Sequence, residues 1–445
     1  MKKQDIRIVA LLIMFLMMAM PAAAQRTGNN SLVNISVNGK HTYMTNKNGY
    51  SLEVEMKGDI TLNETDSDIV SISRGGYLEI NEKLRGTKHQ LLVEGESGNR
   101  LSYSYKLNGK KKDFSEIDRD WYEDILLTMI RETGAGAEDR TARILREDGV
   151  EGVFKEIGYI ESSSSRVRYM THLFDQAKLN DRQLQRAAKM AREIPSSGDR
   201  SRFLKASAAQ FLSSDDATPY YFDAVESIPS SGDKTRVLTS LVDGNLLRDR
   251  DSYLEAIGVA KSIPSSGDRS RFLMKAADLY IEEASDLYFE AVGSIPSSGD
   301  KTRVLTRLIE EGALEDQGSY ADAMHIAKGI PSSGDRARFL MAAASTYHSG
   351  ARDAYFNAVS SLPSSGDHSR VLIHLAEKVG LDKVSMEAYL KSARGISSPG
   401  DKSRTLVKVA DDVAGDDELV DLYIKTAETI SSSGDYKRAL SALMN

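Results

Sequence analysis

Apolar residues alternate with polar ones at every second position early in the chain, and return every three to four positions later. Within 31–115, Leu52, Val54 and Met56 stand between polar neighbours. So do Ile60 and Leu62, Val70 and Ile72, Leu78 and Ile80, Leu91 and Val93, and Tyr103 and Tyr105. A period of two predicts strands with one buried face. Asn48-Gly49, Lys57-Gly58-Asp59, Gly75-Gly76, Gly95-Glu96-Ser97-Gly98 and Asn108-Gly109 predict the turns between them. This spacing fits a meander, a small sandwich or a β-roll, and does not choose among them. Trp121, Ile125, Leu126, Met129 and Ile130 then fall on one helical stripe. The stripe predicts a helix joining the β region to the rest of the chain. Trp121, the sole tryptophan, reads as a core residue at that junction.

From about Gly136 the period is that of helices, and a phrase of eleven residues comes back with it. It runs Ile194-Pro195-Ser196-Ser197-Gly198-Asp199-Arg200-Ser201-Arg202-Phe203-Leu204. Copies begin at Ile228, Ile263, Ile295, Ile330, Leu362, Ile396 and Ile430, and a degenerate one at Ile160. Successive spacings are 34, 34, 35, 32, 35, 32, 34 and 34 residues. Asp139 to Leu145 reads as a shorter first version. A fixed period of this size is the mark of stacked supersecondary units, each too small to bury its apolar face alone. Val237, Leu238, Leu241 and Val242 share one helical face, and Leu254, Ile257, Val259 and Ala260 another. Two helices per unit are therefore expected. Between units, Pro229 cannot extend the helix that Ile228 closes. Ser230 or Asp233 can cap the next one, with Gly232 easing a tight entry. A second period overlies the first. Phe203, Val237, Phe272, Val304, Phe339 and Val371 alternate at one position, predicting large and small side chains at alternating interfaces.

Composition narrows the class. The formal net charge of -7 gives no surplus of Lys and Arg for nonspecific nucleic-acid binding. Lys2, Lys3 and Arg7 precede the apolar run Ile8 to Met20, and Pro21-Ala22-Ala23-Ala24 follows. That order describes a secretory signal peptide over 1–24, with an apolar run short for a membrane span. No later stretch is apolar enough to span a bilayer. The chain has no cysteine, which excludes disulfides, thiolate metal sites and a lipid-modified cysteine.

Candidate chemistry is sparse. The recurring polar feature is a matched pair per unit: Asp199 with Arg202, Asp233 with Arg236, Asp268 with Arg271, and Asp300 with Arg303. Asp335 with Arg338, Asp367 with Arg370, Asp401 with Arg404, and Asp435 with Arg438 continue it. A spacing of three suits a helix-surface ion pair, so the pairs read as repeat-structural rather than as a basic ladder. Calcium sharing by the Asp column is excluded by the separation of successive units. The oxygen-rich run Asn63 to Asp68 reads as a solvated turn. Ser231-Gly232-Asp233-Lys234 matches S-x-x-K, but Arg200, Arg269, Arg336, His368 and Tyr436 replace the Lys elsewhere and no companion motif occurs. His348, His368 and His374 read as surface or packing histidines. No catalytic residue, cofactor site or metal site is expected.

The repeat, above all Ile430-Ser431-Ser432-Ser433-Gly434-Asp435-Tyr436-Lys437-Arg438-Ala439-Leu440, resembles the I-x-S-D-Y-x-K-x-x-V-L helical repeats of exported bacterial proteins. Related repeats stand behind zinc metallopeptidase domains of the beta-lactam-sensor type. The resemblance covers roughly residues 31–445 and implies an α-solenoid. This chain lacks a metallopeptidase motif, so it implies no peptidase activity. The expected fold is α+β in two domains: a signal peptide (1–24), a small β domain (25–115), a linker helix (116–135), and an α-solenoid (136–445) of about nine two-helix repeats. The expected role is that of an exported, periplasmic or secreted, non-enzymatic scaffold for a protein partner. The alternative is a sensor ectodomain holding a cell-wall-derived or other small ligand in a concave pocket lined by Tyr220, Tyr221, Tyr280, Tyr288 and Tyr355.

Overall fold

The computed structural model describes residues 33–47, 49–247 and 249–444; the expected leader over 1–24 lies outside them. The fold is α+β, an antiparallel sheet followed by helical repeats. It divides into two units, one ending at Arg143 and the other starting at Ile144.

In the first unit the described residues form seven antiparallel strands: β1 (Val33–Lys47), β2 (Tyr50–Leu62), β3 (Ile69–Ile72), β4 (Tyr77–Leu84), β5 (Thr87–Gly95), β6 (Leu101–Leu107) and β7 (Lys110–Lys112). They lie in the order β1-β2-β4-β5-β6-β7, with β3 beside β2. The sheet is thus a meander. Alternation puts Leu52, Val54, Met56, Leu78, Ile80, Leu91 and Val93 in the core. Helix α1 (Arg119–Thr133) adds Tyr122, Ile125, Leu126, Met129 and Ile130 to that same core. Each fully buried side chain of this size contributes roughly 1.5–3 kcal/mol. The helix expected to be a linker is therefore the second layer of this unit. Trp121 lies half-buried over the sheet. Its Nε1 donates to Glu82 at 2.6 Å, and its ring stacks on His89 at 4.2 Å.

Two sequence expectations change here. Lys57-Gly58-Asp59 is not a turn, because β2 runs straight through it. Gly58 has φ +82°, and an added Cβ would run into Ser73 Oγ. Its partner strand slips register between Val37 and Lys40, a β-bulge. The second change concerns Asn63 to Asp68. It is no solvated turn: Asp66 is buried with φ 59° and receives Nε of Arg140 at 2.6 Å and Nη2 of Arg143.

Arg140 and Arg143 open α2 (Ala137–Tyr159), which breaks at Gly149. The stretch read as a short first repeat thus also holds Asp66. The repeats proper follow. Helix α3 (Ser163–Gln176) precedes α4 (Asp181–Arg192), α5 (Ser197–Phe211) precedes α6 (Thr218–Glu226), and α7 (Ser231–Asp243) precedes α8 (Arg250–Lys261). Then come α9 (Ser266–Ala276) with α10 (Ser285–Gly293), α11 (Ser298–Glu310) with α12 (Gln317–Lys328), and α13 (Ser333–Ala343) with α14 (Arg352–Ser360). Next are α15 (Ser365–Lys378) with α16 (Lys383–Arg394), α17 (Pro399–Lys408) and the short α18 (Ala410–Val413) with α19 (Asp417–Ala427), and finally α20 (Ser433–Leu443). First helices pack on first helices and second helices on second, always with the neighbour in sequence.

The loop chemistry resolves the capping choice. The serine two residues after the opening Ile or Leu of each phrase is the N-cap, as at Ser230, whose Oγ accepts the Asp233 N–H at 3.2 Å. Gly232 has ordinary negative φ, and open space surrounds the place of a Cβ. The entry is therefore not strained. The two-unit period also gains a shape. The second helices α4, α8, α12 and α16 have 12 residues and an Asn or Asp N-cap. Those between them, α6, α10 and α14, have 9 residues and no side-chain cap.

Candidate functional site

All eight Asp–Arg pairs form, each within one helix. Arg202–Asp199 is 3.0 Å, Arg271–Asp268 2.9 Å, Arg338–Asp335 3.2 Å and Arg438–Asp435 2.9 Å. Arg236–Asp233, Arg303–Asp300, Arg370–Asp367 and Arg404–Asp401 pair likewise. The carboxylates are largely covered and the guanidiniums exposed; the Arg271 side chain is 64% exposed. Paired at once and bathed in water, each contributes little.

The buried basic side chains stand elsewhere, directly after the Asp in seven of the eight phrases, Tyr436 following Asp435. Arg200, Lys234, Arg269, Lys301, Arg336, His368 and Lys402 are all buried. Arg269 is representative. Its Nε and Nη2 donate to Ile263 O at 3.0 and 2.7 Å, and Nη1 to Ser294 O and Oγ at 2.9 and 2.7 Å. Arg200 and Arg336 repeat the pattern on Ile194 with Ser227 and on Ile330 with Ser361. Each guanidinium thus joins the C-terminal ends of two successive second helices, where the helix dipoles are negative. The Lys side chains reach one end each: Lys234 to Ser262 Oγ at 3.1 Å, Lys301 to Gly293 O at 2.9 Å, and Lys402 to Thr429 Oγ1 at 2.8 Å. Burial holds these Arg and Lys groups below their ordinary pKa. Sequence reasoning passed over this column because its residue type varies. The signal was that the variation alternates Arg and Lys in step with Phe and Val.

His368 takes the same place and shares a hydrogen bond of 2.9 Å with Ser392 Oγ. Burial pushes its imidazole down to about 4. His348 sits edge-on to Tyr320 at 5.2 Å. Among the described residues no group of three His, Asp or Glu is placed to hold a metal.

Of the tyrosines expected to line a ligand pocket, Tyr280 alone lines one, a shallow hollow with Asp278, Glu282 and Glu311. Tyr221, Tyr288 and Tyr355 are fully buried and donate to Leu204 O, Leu273 O and Leu340 O of their own units. Tyr280 is half-buried and bonds Ser319 at 2.8 Å. Lys189 lies over the Tyr220 ring at 5.7 Å. Tyrosines of the intervening units reach forward instead: Tyr253 to Ala276 O, Tyr320 to Ala343 O and Tyr389 to Thr405 O.

Among the open hollows is a groove of about 870 Å³ between α6 and α8. Its floor is apolar: Leu212, Phe222, Leu254, Val259 and Leu287. Its rim carries Asp215, Asp223, Glu226, Asp249, Asp251 and Glu255, and no Lys or Arg among the described residues lines it. Asp249 is engaged as the N-cap of α8, and Asp251 lies 3.5 Å from Arg250 beside the groove. Partial burial raises the Glu255 pKa first, and the charges of Asp223, Glu226 and Asp251 raise it further. The six carboxylates are spread over 215–255 in sequence, so only helix stacking assembles them.

No family model and no curated protein matches the chain. Among solved structures, it is similar to the crystal structure of Ton1535 from Thermococcus onnurineus NA1, at 15% identity over 69% of this chain and 98% of that one. The TM-score is 0.21, too slight a likeness to transfer a fold or a role.

Proposed function

We propose that this chain is an exported, non-enzymatic repeat scaffold that binds a protein partner through its second-helix face. The observation that carries the reading is a contrast. The recurring polar side chains of the array are bonded internally, while the α6–α8 groove keeps an apolar floor and an acidic rim open to solvent. Groups spent on packing cannot also serve a reaction, whereas an uncovered apolar floor ringed by charge is what a docking surface offers. The resemblance to repeats of exported bacterial proteins agrees with this reading. The small-ligand alternative loses its motive with the burial of Tyr221, Tyr288 and Tyr355.

Site-specific photocrosslinking in the expressing cell tests it. A photoreactive residue at Leu287 should capture protein, and one at Arg271 on a first helix should capture far less. Equal capture at both places, or none at either, defeats the proposal. Cell fractionation with N-terminal sequencing tests export: a chain retained with Met1 intact in the cytoplasm rules it out.

A further inference from the structure

Resting on the scaffold reading, we infer that the α6–α8 groove takes a basic amphipathic segment, with Lys or Arg beside apolar residues. One position in the longer second helices sets α8 apart. The ninth residue of α4 is Lys189, of α12 His325 and of α16 Lys391; in α8 it is Gly258. Lys189 lays its ammonium over Tyr220 on the next second helix, whereas Lys391 pairs with Glu387 on its own helix. The residue of α10 that corresponds to Tyr220 is Leu287, which lines the groove. Gly258 lines it too, exposed and with nothing within 4 Å of where its Cβ would stand. So α8 lacks the cation that its counterpart α4 lays over the neighbouring helix, and Leu287 is left half-exposed at the groove.

A glycine inside a helix costs about 1 kcal/mol against alanine, and nothing in the packing of α8 requires one. Its effect is to open the groove and leave the rim without a positive charge from within. Asp223, Glu226 and Glu255 surround that gap. Crowded carboxylates over an apolar floor favour a ligand that brings both charge and hydrocarbon. A bare polyamine satisfies only the rim, and an acidic peptide is repelled by it.

The test uses the full chain and a labelled synthetic peptide of lysine and leucine spaced along one helical face, read by fluorescence anisotropy. Two companion peptides replace lysine by glutamate, or leucine by serine. The lysine–leucine peptide should bind, and Gly258→Lys should weaken it about tenfold or more, since the new side chain fills the groove from inside. Because lysine is the better helix former, Gly258→Lys should keep at least the parent's hydrogen-exchange protection over α8. Loss of binding then cannot be loss of fold. Glu255→Gln with Asp223→Asn should weaken binding similarly and reduce its salt dependence. Equal binding by Gly258→Lys, or by either companion peptide, overturns the inference. If the lysine–leucine peptide fails but Leu287 still crosslinks to protein, this inference falls and the scaffold reading stands. If both fail, both fall.

Discussion

Replacing Arg269 by Met should cost far more than replacing Arg271 by Ala, although the two lie two residues apart on α9. Arg269 is 8% exposed and makes four hydrogen bonds to Ile263 and Ser294. Methionine keeps much of the hydrocarbon but removes every donor. The Ile263 and Ser294 carbonyls then lose their side-chain partner, at about 1–3 kcal/mol each. Relief from holding a buried cation with no carboxylate partner offsets part of this. A net loss of about 2–4 kcal/mol results. Arg271 has only its exposed pair with Asp268, a contact of the kind that contributes up to about 1 kcal/mol. Repeat arrays can open piecemeal, so a single melting temperature is a poor measure. Hydrogen exchange by mass spectrometry over 263–294 reads the local opening directly. Arg269→Met should lose protection in that segment, and Arg269→Lys should recover part of it by reaching one helix end, as Lys301 does. Equal protection in Arg269→Met and Arg271→Ala would refute the assignment of the buried column as the clamp.

The other expectations follow the same physics. His368 is neutral in the folded array because burial lowers its pKa to about 4, against roughly 6.5 when unfolded. It therefore favours folding fully above the unfolded value, and that advantage is lost as pH falls from about 6.5 to 4, up to about 3 kcal/mol. His368→Lys should flatten that part of the acid-unfolding curve, and a parent-minus-variant difference that stays constant with pH counters the idea. Phe272→Val opens a cavity at a fully buried site and should cost about 1–2 kcal/mol, checked by urea unfolding; no change would mean the neighbouring units close over it. Gly232→Ala should stabilise by about 0.4–1 kcal/mol, since φ is ordinary and no atom lies within 4 Å; destabilisation would show a need for glycine that the geometry lacks.

Much of this fold is written in local periods, and those periods are legible. The apolar positions of β2, β4 and β5 alternate and are buried as read. β1 escaped because the slip between Val37 and Lys40 shifts its alternation halfway along. The hairpin turn at Arg85-Gly86 escaped because Arg takes positive φ there, and sequence habit assigns that to Asn or Gly. An amphipathic stripe announces a helix such as α1 but not the layer it will cover. The buried cations show a deeper limit. The recurring Asp and Arg drew attention by sameness, yet those Arg side chains point into water. Arg200, Lys234 and His368 differ in type while doing related work, since different heads on different stems can reach the same helix ends. The acidic groove was illegible for a plainer reason: Asp215 and Glu255 become neighbours only when α6 and α8 lie side by side.

From α7 to α16 the seams between units alternate between two patterns, whereas the last two seams share one, Tyr389 to Thr405 O and Tyr423 to Ala439 O. After a valine-bearing unit the stitches are Tyr253 to Ala276 O and Thr235 to Asp268 O. After a phenylalanine-bearing unit the stitch is Tyr280 to Ser319, repeated by Tyr347 to Ser385. Removing one unit would bring two edges of the same kind face to face, with hydroxyls aimed where no acceptor waits. Removing two restores every match. Within the alternating stretch, the smallest brick by which the array can be shortened or lengthened without a scar is thus a doublet.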